Sequence, residues 1–200
     1  MQRDFTLNDW PDSGEVIVFD LEYTAWEGSL ARGWSEPWEH REVVQIGAVR
    51  IRADGGMEEV AALDVLSKPK RNPVLSDYFT ALTGITNTVL ARDGQSFADA
   101  YAAYGTFSQG AVLHLCNGTD GDLLAENGAW REIAFDQDIT KYLNLRPALA
   151  AALDVPGPVA QSCDLPELFG LAPVMGAHTG LGDARAIAKA LREMRRRDLF

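Results

Sequence analysis

Two carboxylates stand two residues apart at the end of an apolar run, and this spacing could support metal chemistry. Val16–Phe19 has the composition of a strand buried on both faces, and Asp20 and Glu22 follow it. Side chains at i and i+2 of a strand point to the same face, so both carboxylates would leave the core together. Burying two like charges costs several kcal/mol unless a cation neutralises them, and carboxylate oxygens favour Mg²⁺ or Mn²⁺. The pair is therefore a candidate metal site.

The acidic pair alone does not establish such a site. A chain with 29 acidic residues in 200 contains about four pairs at this spacing by chance. Further candidates are Asp120, which follows the apolar run Ala111–Cys116, and Asp183, which opens a long terminal helix five residues after His178. Each has a simpler interpretation: Asp120 as a helix N-cap, Asp183 as a first-turn acid favoured by the helix dipole, and His178 as an ordinary loop histidine. The order of these residues along the chain is more informative than any one of them.

The elements that must position these residues form an α/β pattern in which three strands come first. We predict strands over Val16–Glu22, Glu42–Arg52 and Met57–Leu66, with Gly55-Gly56 turning the second strand into the third as a hairpin. Ala111–Cys116 is a further buried strand. The expected fold class is a central mixed sheet, antiparallel in its first three strands and flanked by helices.

Helices are expected between and after these strands, because apolar residues recur there at helical spacing behind capping residues. The predicted helices are Leu75–Leu82, Thr86–Leu90, Phe97–Phe107, Asp120–Asn127, Tyr142–Leu153, a helix capped by Asp164 that ends at Phe169, and Gly182–Arg196. Trp130–Phe135 is predicted as a short strand. Every acidic candidate then lies at a strand end or a helix start.

Length and composition favour one soluble domain. The 200 residues are 46% hydrophobic and 24% charged, and no linker divides them, so residues 1–200 are expected to form a single domain. Residues 1–14 are polar and rich in turn formers, which indicates an N-terminal arm. No apolar run reaches the length of a membrane span, and no signal-peptide core is present. Cys116 and Cys163 lack CxxC spacing, so we expect a reduced, cytoplasmic protein without membrane partners.

The net charge of −11 argues against a broad electrostatic footprint on nucleic acid, but it permits a small site that holds a strand end. Two basic clusters could contact phosphates or could be solvated surface: Lys68, Lys70 and Arg71, and Arg195–Arg197. The segment 23–40 contains Trp26, Trp34 and Trp38. These rings either pin a loop to the core or form a platform on which bases stack.

Three short stretches occur in a fixed order: Phe19-Asp-Leu-Glu22, Asp120-Gly-Asp-Leu-Leu124 and His178-Thr-Gly-Leu-Gly-Asp-Ala184. Together they resemble the three motifs of the DEDDh 3′→5′ exonuclease superfamily. Three other stretches are similar to the Eri-type exoribonucleases, which include histone-mRNA 3′-end exonucleases and bacterial KapD-like proteins. These stretches are Arg41–Val49, Lys68–Tyr78 and Leu82–Thr86, and the whole resemblance runs from about Val16 to Leu191.

The resemblance implies a ribonuclease H-like fold that holds two divalent cations, Mg²⁺ or Mn²⁺. By motif, Asp20, Glu22 and Asp183 would bind the first ion, and Asp20 would bridge to the second with a contribution from Asp120. His178 would take the proton from the attacking water. The implied substrate is the 3′ end of single-stranded RNA, or of DNA, and the implied products are nucleoside 5′-monophosphates.

The chain departs from the family pattern at three places. Tyr23 follows Glu22 where a smaller residue is commoner, and its bulk could alter how the terminal nucleotide is seated. Gly182 stands where relatives usually carry an aspartate beside the ligand aspartate, at a position that is normally not a metal ligand. Asp122 competes with Asp120 for the middle acidic position. We prefer Asp120, because Leu124 and Asn127 then fall at the spacing that the family shows.

Other aspects of the function remain open at the level of the sequence. Candidate walls for a nucleotide pocket are Phe19, Trp26, Leu82 and His114. Discrimination of RNA from DNA would require contacts to the 2′-hydroxyl, which no residue type identifies. Oligomeric state is not indicated. A different class of function is also compatible with the sequence: a catalytically quiet regulator that binds a protein or an RNA end, using its acidic surface and the aromatic segment.

Overall fold

The computed structural model describes residues 1–134, 137–153 and 161–199. Within these ranges six strands form one mixed sheet in the order β1-β6-β5-β2-β3-β4. The strands are β1 (Arg3–Asp4), β2 (Glu15–Tyr23), β3 (Val43–Arg52), β4 (Glu59–Leu66), β5 (Leu113–Cys116) and β6 (Tyr142–Asn144). Strands β2, β3 and β4 are antiparallel to one another, whereas β5 joins β2 in parallel and β6 joins β5 and β1 in parallel. The predicted fold class, with its antiparallel first three strands, matches this sheet.

Helices flank the sheet, and the described residues also contain short 3₁₀ segments. The helices are α1 (Ser29–Arg32), α2 (Asp77–Thr83), α3 (Asn87–Asp93), α4 (Phe97–Ser108), α5 (Asp120–Ala129), α6 (Arg146–Leu153), α7 (Leu165–Leu168) and α8 (Gly180–Arg196). The 3₁₀ segments are Leu7–Asp9, Ile139–Lys141 and Ser162–Asp164. Every helix in the described part of the chain is too short or too polar to cross a lipid bilayer.

The central strand β2 is buried on both faces, as its apolar composition predicts. Val16 and Val18 pack with Ile187 and Leu191 of α8. Alternate β2 residues pack on the opposite face with α4. Because side chains alternate along a strand, Asp20 and Glu22 continue the row that begins at Val16 and Val18 and therefore lie on the face that α8 covers.

Two predicted elements are wrong. Residues 142–153 were expected to form one helix, but Tyr142 and Leu143 are fully buried in β6, and α6 begins only at Arg146. The break arises because the backbone of residues 142–144 bonds to β5, after which the Asn144 side chain accepts a hydrogen bond from the Arg146 amide at 3.0 Å. A strand was also expected at 130–135. Residues 131 and 132 form a turn instead, with Glu132 at φ 58°, while Phe135 lies outside the described residues.

The first 14 residues, expected to form an arm, lie against the domain in part. Arg3–Asp4 pairs in parallel with β6, and Phe5 is buried in the same core cluster as α8. The Gln2 amide donates a hydrogen bond to Asp122 Oδ1 at 2.8 Å, and its side-chain amide donates to the Gly118 carbonyl. These contacts place the N-terminal residues beside the loop that leads into α5.

Candidate active site

The acidic side chains predicted to form a metal site converge at one end of the sheet. Asp20 and Glu22 come from the last part of β2, and Asp183 comes from the first turn of α8, which crosses that face. Carboxylate oxygens from these three residues all lie within 4.8 Å of one another. Asp120 opens α5 directly after β5, the parallel neighbour of β2, so its side chain reaches the same end of the sheet. The four acidic residues, which are distributed along most of the sequence, are therefore close together in the folded protein.

Burial and crowding make this group of carboxylates electrostatically unfavourable by itself. Burial, followed by repulsion from the other three carboxylates, raises the pKa of Asp20 well above its ordinary value. Burial together with the charges of Asp183 and Asp120 raises the pKa of Glu22 to about 8. Burial also raises the pKa of Asp183 to about 7 and that of Asp120 to about 6. The protein therefore holds four carboxyl groups that favour protonation unless positive charge is supplied.

The donor set fits divalent cations with hard character. All four groups are carboxylates, whose oxygens are the ligands that Mg²⁺ and Mn²⁺ prefer. A dication placed among them would supply the neutralising charge that their raised pKa values call for. Asp122, the competitor for the middle position, accepts its hydrogen bond from Gln2 instead. The structure therefore places Asp120, rather than Asp122, beside Asp20.

A backbone contact positions the first turn of α8. A Cβ atom added to Gly47 of β3 would lie 1.9 Å from the Gly180 carbonyl carbon. The backbones of β3 and α8 therefore touch at two residues that have no side chain. The Gly180 amide also donates a hydrogen bond to Gln45 Oε1 at 2.9 Å. The Thr179 side chain caps the helix by accepting a hydrogen bond from the Gly182 amide at 3.2 Å. Together these contacts fix where Asp183 projects.

His178 lies at the rim of the acidic group, just before α8. Its backbone adopts φ +58°, a left-handed conformation that few residues other than glycine occupy. Its amide donates a hydrogen bond to Asp183 Oδ1 at 3.2 Å, and its Nε2 lies 3.9 Å from Cys163 Sγ. The imidazole lines the same cavity as the carboxylates. The loop thus holds an imidazole next to the acidic group.

The four carboxylates line an open cavity of about 430 Å³. Aromatic and aliphatic side chains of segment 23–40 and α2 line it as well, together with two arginines. These lining residues are Tyr23, Trp26, Leu30, Trp34, Tyr78, Arg41 and Arg146. The cavity lining therefore combines carboxylates, apolar and aromatic side chains and two arginines, which suits a charged substrate with an aromatic group.

The family model described as Exonuclease, of the RNase T type, matches residues 17–191. The chain belongs to this exonuclease family. No curated protein matches the sequence significantly. The DEDDh superfamily assignment made from the three motifs is confirmed.

Solved structures resemble this exonuclease closely in fold. The nuclease domain of 3′hExo, a DEDDh family member bound to rAMP, has a TM-score of 0.76 at 20% identity, covering 92% of this chain and 93% of that domain. Cell-death related nuclease 4 has a TM-score of 0.75 at 16% identity, with coverages of 92% and 64%. E. coli exonuclease I in complex with a dT13 oligonucleotide has a TM-score of 0.67 at 15% identity, with coverages of 93% and 42%. These likenesses show the ribonuclease H-like fold that the sequence predicts.

The exonuclease chain is shorter than several of these proteins. It spans 62% of the full-length 3′-exonuclease, to which its TM-score is 0.78 at 19% identity. It spans 42% of E. coli exonuclease I. The likeness therefore concerns only a part of each of these larger proteins.

Three of the four predicted pocket residues do not line the exonuclease cavity, and two of these three are buried on the far side of the sheet. Phe19 is fully buried on the opposite face of β2, where its ring lies 5.5 Å from that of Tyr104 and 5.7 Å from that of Tyr142. His114 is buried in the same cluster, with Nδ1 2.8 Å from the Tyr104 hydroxyl. Strand alternation explains both positions. Phe19 precedes Asp20 and must face away from it, and His114 pairs with Ile17, which faces the same side as Phe19. Their assignment as pocket walls is corrected.

The other two predicted pocket residues behave differently from each other. Leu82 is half-buried in α2 and is not among the residues that line the cavity in the described part of the chain. Trp26 does line the cavity, as expected. Trp34 serves as an anchor as well, because its Nε1 donates a hydrogen bond to the Thr24 carbonyl at 3.1 Å. Trp38 is 55% exposed. The aromatic segment therefore contains both an anchored ring and a ring that faces the cavity.

Additional polar residues support the acidic group without any signal in the sequence. Ser162 Oγ donates a hydrogen bond to Asp20 Oδ1 at 2.9 Å. The Asn117 side-chain amide donates to Ser162 Oγ at 3.3 Å, and Arg146 Nη2 donates to the Asn117 carbonyl at 2.7 Å. The Arg146 charge opposes the rise that burial causes in the pKa of Asp120. This chain of contacts links Arg146 to Asp20 through Asn117 and Ser162.

Proposed function

We propose that this exonuclease removes nucleotides one at a time from the 3′ end of single-stranded RNA, with DNA as a poorer substrate, and releases nucleoside 5′-monophosphates. The observation that carries the proposal is the convergence of Asp20, Glu22, Asp120 and Asp183 with His178 in one open cavity. Repulsion among buried carboxylates is costly, so a fold retains such a group only where bound cations offset it. A regulator without catalytic activity would need none of it.

Asp20, Glu22 and Asp183 are the residues we assign to one Mg²⁺ or Mn²⁺ ion, since their oxygens already lie within 4.8 Å of one another. We assign Asp20 and Asp120 to a second ion. Two such ions, when bound, stabilise the charge that develops on the attacking and leaving oxygens of a phosphodiester. Ser162 fixes the orientation of Asp20 through its hydrogen bond.

His178 is assigned the proton transfer. It lines the cavity beside Asp183, and histidine is the side chain whose protonation changes nearest neutral pH. In this role its imidazole accepts a proton from the attacking water. Its backbone hydrogen bond to Asp183 holds the loop, so that the ring remains at the rim of the acidic group.

The apolar wall is assigned to the terminal base of the substrate. Trp26 faces the cavity, and stacking of a base on an aromatic ring stabilises single strands by about 1–3 kcal/mol for each base. Arg41 and Arg146 also line the cavity and are assigned to phosphate contacts. We expect this cavity to admit a strand end more readily than a continuous duplex.

The preference for RNA and the 3′ direction rest on similarity. The Eri-type stretches Arg41–Val49, Lys68–Tyr78 and Leu82–Thr86 support membership of an exoribonuclease branch. Among the solved structures, one is described as 3′-end specific recognition of histone mRNA stem-loop by 3′-exonuclease, at 20% identity, and another as a nuclease domain bound to rAMP. E. coli exonuclease I, in contrast, is described in complex with DNA oligonucleotides, which keeps DNA as the competing substrate.

The proposal can be tested with one set of oligonucleotides. Single-stranded RNA and the matching DNA, labelled at the 5′ end, are incubated with Mn²⁺ or EDTA beside the double variant Asp20→Asn/Glu22→Gln. A metal-dependent ladder that shortens from the 3′ end, absent in the variant and faster for RNA, is the expected result. Faster digestion of DNA would overturn the substrate preference. Intact strands in every lane would overturn the activity and favour a quiet regulator.

A further inference from the structure

A second group of potential metal ligands overlaps the acidic centre and differs from it in chemistry. The thiol of Cys163, the imidazole of His178 and the carboxylate of Asp183 have ligand atoms that all lie within 4.8 Å of one another. Cys163 Sγ is 3.9 Å from His178 Nε2. This group shares Asp183 with the all-carboxylate group, but it contributes sulfur and nitrogen as well as oxygen.

The spacing of these atoms is close to that of a tetrahedral zinc site. Zn–S and Zn–N bonds of the usual lengths place the sulfur and nitrogen about 3.6 Å apart. The observed separation of 3.9 Å between Sγ and Nε2 therefore needs only a small side-chain adjustment. A site with three protein ligands leaves the fourth position to water.

The backbone around these ligands is fixed by contacts that do not involve the ligand atoms of Cys163 or His178. Cys163 belongs to the 3₁₀ segment Ser162–Asp164, which packs on α8 and is tied to Asp20 by Ser162. The His178 amide bonds to Asp183, which lies in the first turn of α8. The three ligands are thus presented from two short segments that are already docked on the same helix.

The donor set selects a softer metal than the acidic centre does. Thiolate and imidazole ligands favour Zn²⁺ strongly over Mg²⁺ and Mn²⁺. The surrounding charge also favours a dication, because Asp164 Oδ1 lies 3.7 Å from Cys163 Sγ, and Asp20 and Glu22 are close to Asp183. Cys163 is half-buried, so the thiol remains within reach of an ion that enters the cavity.

We propose that Cys163, His178 and Asp183 form an inhibitory Zn²⁺ site. Occupation of this site would use the imidazole nitrogen that we assign to proton transfer and a carboxylate that we assign to the catalytic cations. Zn²⁺ would therefore stop turnover even when Mg²⁺ is abundant. The inhibitory consequence rests on the proposed exonuclease function, whereas the binding of Zn²⁺ does not.

Binding is tested with Co²⁺ as a spectroscopic substitute, because Zn²⁺ itself has a filled d shell and gives no signal. Titration of the full chain with Co²⁺, in the presence of a phosphine reductant, should produce a thiolate-to-cobalt charge-transfer band in the near ultraviolet. Zn²⁺ should remove the band, and Cys163→Ser should lack it. The matched control is Cys116→Ser, since Cys116 is fully buried beside Gln2 and should not contribute. No band in the wild type, or a band that survives in Cys163→Ser, would overturn the proposal.

Inhibition is tested separately with RNA digestion at millimolar Mg²⁺ and increasing Zn²⁺. The Zn²⁺ concentration that halves the rate, measured for each protein against its own zinc-free rate, should rise at least tenfold in Cys163→Ser and stay unchanged in Cys116→Ser. Equal inhibition of all three proteins would overturn the inhibitory role even if the cobalt band is present. If no protein digests RNA in Mg²⁺, the proposed function fails, and the cobalt band still decides whether the site exists.

Discussion

Gly47 of β3 and Gly180 of α8 meet backbone to backbone, and neither position has room for a Cβ atom. A Cβ on Gly47 would lie 1.9 Å from the Gly180 carbonyl carbon, and one on Gly180 would lie 2.8 Å from the Gly47 amide nitrogen. Gly47 is also the residue that pairs with Asp20 across β2 and β3. The distance between α8 and the sheet is therefore fixed directly beside Asp20. This distance determines how close Asp183 lies to Asp20.

Replacing Gly47 with alanine should separate Asp183 from Asp20. Because the new methyl group would overlap backbone that cannot move alone, we expect Gly47→Ala to lower the free energy of unfolding by about 3 kcal/mol. Urea denaturation measures this loss, and thermal denaturation with Mn²⁺ measures the accompanying loss of metal stabilisation.

The matched control for that substitution is Gly33→Ala. Gly33 has φ +65° and no atom within 4 Å of an added Cβ, so the change incurs only the left-handed strain of about 1–2 kcal/mol. Equal stabilities of the two variants would show that the contact between Gly47 and Gly180 does not limit the position of α8.

The metal-free protein should lose stability as pH rises from about 5 to 8. The pKa of Glu22 is raised from 4.5 to about 8, and that of Asp183 from 3.8 to about 7, in each case first by burial. The folded state then binds protons that the unfolded chain has already released, so stability is highest below the unfolded pKa values and falls through the folded ones. Each unit of difference corresponds to about 1.4 kcal/mol. Thermal denaturation in EDTA at several pH values measures the trend, and a flat profile would contradict it.

Divalent cations should reverse that loss. Millimolar Mn²⁺ at pH 8 should raise the melting temperature, because a ligand at one hundred times its Kd adds about 2.7 kcal/mol to the stability of the folded state. Asp20→Asn should be more stable than the wild type in EDTA, since one of four repelling charges is removed. It should also lose most of the Mn²⁺ shift and the nuclease activity. An Mn²⁺ shift of equal size in Asp20→Asn would place the metal elsewhere.

Replacement of His178 should separate catalysis from metal binding. We expect His178→Ala to lower turnover by about 10²–10⁴, which is the usual contribution of a general base, and to keep the Mn²⁺-induced rise in melting temperature. His40→Ala provides the control, because His40 lies outside the cavity lining, with Nδ1 3.4 Å from Arg71 Nη1. Digestion rates at saturating RNA distinguish the two variants. Undiminished turnover in His178→Ala would assign His178 a structural role.

Glu42 should be important for stability although it lies outside the acidic centre. It is fully buried and accepts hydrogen bonds from the amides of Lys70, Arg71 and Asn72 at 2.6–2.8 Å and from Arg131 Nη2 at 3.0 Å. Glu42→Gln would leave the Arg131 charge buried without its partner, which typically costs about 3–5 kcal/mol. Urea denaturation measures the loss.

The exposed ion pair between Glu59 and Arg185, 2.8 Å apart, provides the comparison for Glu42. Removal of an exposed pair costs at most about 1 kcal/mol, so Glu59→Gln should unfold at nearly the wild-type urea concentration. A similar midpoint for Glu42→Gln would show that the basic loop at 70–72 does not depend on this carboxylate.

The sequence predicts the acidic centre well because strand and helix periodicity fix the direction of its side chains. Asp20 and Glu22 share a face by alternation alone, and the fold places α8 on that face. The same alternation could have excluded Phe19, which must face away from its neighbour Asp20. Ser162 could not be predicted, since its hydrogen bond to Asp20 joins residues 142 positions apart and depends on how the chain returns to the sheet. The sequence does not predict strand β6, because its three residues are too few to show the two-residue alternation of a strand.

The position of α8 after the other elements that carry acidic residues has a consequence for biosynthesis. Chains are synthesised and fold from the N-terminus, so Asp20, Glu22 and Asp120 leave the ribosome before the helix that carries Asp183 exists. The Asp183 side chain reaches the other carboxylates only when α8 is packed on the sheet. Almost all of α8 must be translated before it can pack on β2 and β3. The acidic centre is therefore incomplete on the nascent chain until α8 has been made and has packed against the sheet.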